Sequence, residues 1–168
     1  MRQFISLATA ALLLVIFLPK DQAVAQSAPD TFRGSTWRLV SGTVDRGGKK
    51  VHLTAPRLQG FLMFDSNDHF LIVITRSDLP KFASNSGQAG TRGGNISTLQ
   101  SSIASFGTYS INDPDHTINV HIEGSTFPKW IGTEQKRWFA VDGDQLKLAN
   151  SSPSGGRGTA ELVWKRVK

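Results

Sequence analysis

Two histidines and a glutamate stand close together at residues 116–125, HTINVHIEGS, and these residue types bind metals or transfer protons. Successive side chains on a strand point to opposite faces, so His116 and His121, which are five positions apart, cannot share a face of one regular strand. His121 and Glu123 do share a face, while Ile118, Val120 and Ile122 line the other. The pattern predicts one wall of a β-sheet, with the histidines facing water.

Metal binding and nucleophilic catalysis find little support in the rest of the sequence. The chain has four histidines and no cysteine, and no HxH or HExxH spacing occurs. No serine stands in a GxSxG turn. The glycine-rich segment 84–94 lacks the ending and the strand-turn-helix context of a phosphate-binding loop. We therefore predict no metal and no cofactor, and a flexible polar loop at 84–94.

Arg137 has an unusual place in EQKRWFAVD, a predicted strand at 134–142. Alternation puts Arg137 on the same face as Phe139 and Val141. Buried arginine is unfavourable without a partner, so an inward Arg137 requires a carboxylate, a carbonyl or a negative group of a ligand. The alternative, which the sequence leaves open, is a bulge that exposes Arg137 on the surface.

The elements that hold these residues are short β-like runs separated by Gly, Asp, Asn and Pro, too closely spaced for βαβ units. Turn residues join several of the runs as hairpins. A short helix at 95–105, capped by Asn95, is predicted before the fourth strand. The eight predicted strands are 36–43, 60–66, 69–76, 106–112, 116–124, 134–142, 144–150 and 159–167.

The class is all-β, and hairpin connections favour an eight-stranded antiparallel up-and-down barrel over a sandwich, because closure removes exposed sheet edges. Such a barrel can hold one small ligand. The first and last strands become neighbours, which would place Arg166 over the Trp37 ring as a structural closure. Tyr109 would need a hydrogen-bond partner if buried, in the core or on a ligand.

The N-terminus has the features of a secretory signal peptide: an early arginine, an apolar run at 4–18 and a small-x-small site that ends at Ala25. The run is shorter than the roughly 20 residues that span a bilayer. We expect a periplasmic or secreted protein without an integral membrane span, divided into a signal peptide at 1–25, an N-terminal lead at 26–33 and one barrel domain at 34–168. The net charge of +6 comes from dispersed basic residues, so nucleic-acid binding is not expected.

Six short segments in order resemble the bacterial and fungal lipocalin-like domain family, from about residue 34 to residue 166. They are GSTWRLVS at 34–41, FGTY at 106–109, HIEGS at 121–125, PKWIGT at 128–133, QKR at 135–137 and DGDQLKL at 142–148. The resemblance implies a barrel of the lipocalin or calycin type in which Trp37 and Arg166 match the barrel-closing pair. It also implies that Tyr109, His121 and Arg137 fall on positions where similar sequences have the same polar types. It implies no particular activity, since members are mostly without an assigned function.

Two classes of function remain, with the oligomeric state left open. The favoured one, on fold analogy, is a non-catalytic module that binds a small, mainly apolar or anionic ligand. The alternative is a barrel-cavity isomerase, cyclase or lyase in which Tyr109, His121 and Arg137 act as acid, base and clamp, or a packed barrel that acts through its surface. An outward His121 argues against the enzyme. The predicted ligand contacts are Tyr109, Arg137, Phe139, Val120, Met63 and Ile72.

Overall fold

The computed structural model describes residues 31–54, 57–79, 81–82, 90–151 and 158–168. One α-helix, α1 (Arg92–Gln100), and one 3-10 turn, Pro128–Trp130, lie among the strands of this part of the chain. The strands are β1 (Ser35–Arg46), β2 (Lys49–Thr54), β3 (Leu58–Phe64), β4 (His69–Arg76), β5 (Ser102–Asn112), β6 (Thr117–Ser125), β7 (Glu134–Asp142), β8 (Gln145–Asn150) and β9 (Thr159–Arg166).

The sheet closes on itself as an antiparallel barrel. From β3 to β9 each strand pairs with the next one along the chain, and β1 pairs with both β3 and β9. The first part of β1 pairs with β3, whereas residues 41–46 pair with β2 on the same edge. The structure thus confirms the predicted eight-stranded up-and-down barrel and adds β2 as an extra strand. Because of β2, the helix precedes the fifth strand instead of the fourth.

The helix lies earlier in the chain than predicted. Thr91 is the N-cap, and its hydroxyl accepts a hydrogen bond of 3.1 Å from the Gly94 amide, so the residues 92–94 belong to the helix and not to a loop. At the other end, Ser102 already pairs with Thr75 of β4. The predicted range 95–105 is therefore wrong, since sheet pairing takes its last residues. The rest of the predicted loop, up to Gly90, lies mostly outside the described residues.

Alternating side chains of the strands fill the barrel interior. On β6, Ile118, Val120 and Ile122 are buried, as the sequence predicted. Trp37 of β1 and Trp164 of β9 are both 0% exposed. Full burial of a large apolar side chain contributes about 1.5–3 kcal/mol, so this continuous core accounts for most of the favourable free energy of folding.

Residues just before β1 close one end of the barrel. Phe32 is 1% exposed, and its ring packs edge-on against Phe64 at 5.3 Å and Phe139 at 5.1 Å. Arg33 forms an ion pair with Asp68 at 2.7 Å. Residues 31–33, which belong to the predicted N-terminal lead at 26–33, thus pack against the barrel. The predicted signal peptide lies outside the described residues.

Within the described ranges, no helix combines the length and apolar character needed to cross a membrane.

Candidate functional site

A cavity of about 210 Å³ lies inside the barrel, away from the end that Phe32 closes. Its lining includes Ile74 near the end of β4 and Ile103 near the start of β5, whereas Phe32 contacts Phe64 beside the turn between β3 and β4. The other lining residues are Val44, Ile72, Trp130, Arg137, Leu148, Ala149, Asn150, Ala160 and Leu162. Among the described residues the wall is therefore mainly apolar, with Arg137 as its one cationic side chain.

Arg137 points into the barrel and is 8% exposed. Its Nη2 donates a hydrogen bond of 3.2 Å to Oε1 of Gln135, and its buried Nε has no hydrogen-bond partner. No carboxylate of the described ranges lies within ion-pair distance of Arg137. Burial away from water lowers the pKa of Arg137 to about 10, so the guanidinium is still charged at neutral pH. The cavity wall thus carries a buried positive charge with no negative partner in this part of the chain.

Trp130 reaches the cavity from the 3-10 turn between β6 and β7. Its ring centre lies 5.8 Å from Cζ of Arg137, and the ring packs edge-on against Phe127 at 5.4 Å. The turn is tied to the strand that follows, because the Thr133 hydroxyl donates a hydrogen bond of 2.7 Å to the Trp130 carbonyl. Gln135 in turn donates from Nε2 to the Thr133 hydroxyl at 3.4 Å. A chain of hydrogen bonds therefore connects the Trp130 turn to Arg137.

Only two of the predicted ligand contacts line the cavity, namely Arg137 and Ile72. Val120 and Phe139 face inward but are packed in the core closer to the closed end, where Phe139 contacts Phe32. Met63 is 44% exposed and faces outward, so its predicted interior position is wrong. The physical reason is that β3 has apolar residues on both faces, and alternation alone does not decide which face is buried.

Tyr109 lies in the core at the closed end and not in the cavity. Its ring packs against Phe64 at 4.7 Å, and its hydroxyl is 3.5 Å from the Asp65 carbonyl oxygen, a long hydrogen bond. Burial, together with the negative charge of Asp68, raises the pKa of Tyr109 to about 12. The neutral phenol is therefore the form that the folded state stabilises.

This raised pKa predicts a specific alkaline loss of stability. The contribution of Tyr109 is complete below its ordinary pKa of 10 and is lost as the pH rises towards its folded pKa of about 12. In urea unfolding at increasing pH, the wild type should lose more unfolding free energy over this window than Tyr109→Phe, which cannot ionise. Parallel losses in the two proteins would show that Tyr109 does not titrate as its burial requires.

His121 lies on the outer face of β6, where its Nδ1 is 2.7 Å from Oε1 of Glu134. Both side chains are exposed to water, at 43% and 70%. The structure does not bring Tyr109, His121 and Arg137 together, since they occupy the closed end, the outer surface and the cavity. In the residues that the structure describes, no three His, Asp or Glu side chains group closely enough to hold a metal ion.

The first and last strands meet at Trp37 and Arg166. The two residues are register partners, and Cζ of Arg166 lies 4.2 Å from the centre of the Trp37 ring. Nη2 of Arg166 donates a hydrogen bond of 2.6 Å to the carbonyl of Thr31. Arg166 thus joins the strand seam to the segment that carries Phe32.

Several cavity residues were missed by the sequence reasoning. Alternation on β8 and β9 does place Leu148 and Asn150, and Ala160 and Leu162, on inner faces. The alternation on β8 and β9 was therefore sufficient to place these four residues on the inner face of the barrel. Trp130 had no comparable signal, because it lies in a turn between strands, where period-two alternation does not apply.

Comparison with known proteins agrees with this architecture. Residues 35–167 match the family described as lipocalin-like domain. A curated relative, the 4'-hydroxy-3'-methoxypropiophenone carrier protein ppsC of Aspergillus oryzae, is 32% identical over 74 residues, which cover 39% of this chain and 67% of that protein. No solved structure matches the chain significantly. Since the family match extends over nearly all of the barrel, the chain belongs to the lipocalin-like domain family.

Proposed function

We propose that this protein is a non-catalytic carrier that holds one small, mainly apolar ligand in the barrel cavity, with Arg137 contacting a polar group of that ligand. The observation that carries the proposal is the buried guanidinium on a mainly apolar wall. A buried charge without a negative partner is unfavourable, and proteins retain such groups mainly where they serve a function.

The size of the cavity limits the ligand. Its volume of about 210 Å³ is below the roughly 300–1,000 Å³ of pockets that hold drug-sized molecules. Apolar walls also hold water poorly. Both properties favour a compact apolar compound, such as one with a single substituted ring.

The Aspergillus relative supports the same class of ligand, since its name describes a carrier for an aromatic ketone. Trp130 offers a ring for edge-on or offset packing with an aromatic ligand. Arg137 offers hydrogen-bond donors to a ligand oxygen. A carrier role is favoured over catalysis because Tyr109, His121 and Arg137 do not face one common space.

Export is a second part of the proposal. It is supported by the charged start, the apolar run at 4–18 and the small-x-small site at Ala25. N-terminal sequencing of the protein recovered outside the cytoplasm should give a first residue near Gln26. Recovery of the uncleaved chain from the cytoplasm alone would contradict export and would leave the carrier proposal unaffected.

Tryptophan fluorescence tests the carrier proposal, because Trp130 lines the cavity and Trp138 is exposed on the outside of β7. Titration with 4'-hydroxy-3'-methoxypropiophenone or with 4-methoxybenzoate should change the emission of the wild type and of Trp138→Phe. The change should be lost in Trp130→Phe. If neither compound alters the signal at millimolar concentration, or if Trp138 carries the change, binding in this cavity is excluded for ligands of this size.

A further inference from the structure

The residues around Arg137 indicate which charge the ligand carries. Arg137 has one hydrogen bond to a side chain, from Nη2 to Oε1 of Gln135, while its buried Nε has none. An amide oxygen accepts a hydrogen bond but does not neutralise a positive charge. Trp130 contributes the only aromatic ring near the guanidinium in the described residues, at 5.8 Å. Within the part of the chain that the structure describes, the charge of Arg137 is therefore held in place without a negative partner.

Gln135 is fixed in the orientation that keeps this charge available. Its Nε2 donates to the Thr133 hydroxyl, which itself donates to the Trp130 carbonyl. A guanidinium has donors and no acceptor, so the amide must turn its oxygen, not its nitrogen, towards Arg137. Both hydrogen bonds of Gln135 thus require the same orientation of the amide.

A glutamate at position 135 would fit almost the same space and would form a charged pair with Arg137. Two side chains at i and i+2 on a strand share a face, and here they share the inner face. This chain has glutamine, which carries no charge, at position 135. The neutral amide leaves the arginine charge free to act on whatever enters the cavity.

We infer that the cavity selects ligands with a single negative charge, a carboxylate or a phenolate, and that Gln135 is the residue that sets this selectivity by holding Arg137 without neutralising it. The inference rests on the proposed carrier function and specifies its ligand class. A ligand oxyanion completes the hydrogen bonding of the guanidinium and compensates its charge, while the apolar remainder of the ligand occupies the rest of the cavity.

An acid and its uncharged amide of nearly equal shape provide the test. Affinities of the full-length protein for 4-methoxybenzoate and 4-methoxybenzamide are measured by calorimetry at neutral pH. The wild type should prefer the acid by at least about tenfold, the effect of one charge-assisted hydrogen bond. Gln135→Glu should reduce this ratio to about one. Lys136→Glu, which places a negative charge on the exposed outer face of the same strand, should leave the ratio unchanged.

Each other outcome has a distinct meaning. Equal affinity of the wild type for the acid and the amide would overturn the inference and leave the carrier proposal standing. Binding of neither compound would overturn the carrier proposal. If Gln135→Glu still preferred the acid over the amide, Gln135 would not be the residue that sets the selectivity for anionic ligands. Gln135→Glu should also melt at an equal or higher temperature, since its carboxylate meets Arg137; a clearly lower Tm or failure to fold would contradict the inference.

Discussion

Arg137→Met is expected to give a protein that is more stable than the wild type and binds 4-methoxybenzoate at least about tenfold more weakly. The wild type keeps a charge buried at 8% exposure with no negative partner in the described residues, and burial lowers its pKa to about 10. Replacement of a buried ion pair by apolar residues of similar volume is often neutral or stabilises a protein by about 1–4 kcal/mol, and an unpaired buried charge lacks even the attraction of a partner. Methionine fills similar space without a charge.

Urea unfolding and calorimetric titration of the same preparations measure the two effects. Arg38→Met is the matched control, because Arg38 is exposed and its Cζ lies 4.8 Å from the Phe61 ring on the outside of the barrel. Removal of an exposed arginine should change stability by no more than about 0.5 kcal/mol and should not change binding. If Arg137→Met were strongly destabilised and still bound the acid normally, Arg137 would be a structural residue and the anchor role would fail.

Alternation along the strands was sufficient to predict the barrel. The inward positions of β4, β6 and β9 repeat every second residue. Tight turns between β3 and β4, between β5 and β6, and between β7 and β8 indicate hairpins. β2 was missed because it pairs with β1 alone and because its residues 49–52 are exposed on both faces of the strand. A strand with solvent-exposed residues on both faces lacks the alternation of apolar and polar residues that would distinguish it from a loop.

The helix and the closed end show a second limit of sequence reasoning. α1 has no buried residue, so its apolar residues Ile96 and Leu99 do not mark a packed face. Phe32 is the single apolar side chain of residues 31–34, and its burial depends on contacts with Phe64 and Phe139, which are distant in sequence. Neither feature has a local period that could predict it.

For the site, alternation gives the face of a side chain but not its height along the barrel axis. Alternation places Arg137 and Phe139 on one face of β7, with a bulge left open as the alternative for Arg137, and in the structure both side chains face inward. Tyr109 is buried as well. Only Arg137 reaches the cavity, since the other two lie closer to the end that Phe32 closes. Height depends on the register and tilt of all the strands together, and no single segment of the sequence contains that information.

Trp37→Ala is expected to be the most destabilising single substitution, with a loss of about 3–5 kcal/mol of unfolding free energy. Trp37 is 0% exposed and pairs in register with Leu62 of β3 and Arg166 of β9. Its Nε1 donates a hydrogen bond of 2.8 Å to the Ser35 hydroxyl. A cavity at this position would therefore weaken the seam between the first and last strands and the packing of the closed end at once.

Trp138→Ala is the control of the same chemical type, because Trp138 is 46% exposed on the outer face of β7. Urea unfolding of both variants should separate them by at least about 2 kcal/mol. Arg166→Met, alone and combined with Trp37→Ala, gives the coupling between ring and guanidinium, expected at about 0.5–2 kcal/mol. If Trp37→Ala lost no more unfolding free energy than Trp138→Ala, the barrel would remain closed without the contacts of Trp37. A coupling of this size would instead show that the cation-π contact between Trp37 and Arg166 joins the first strand to the last.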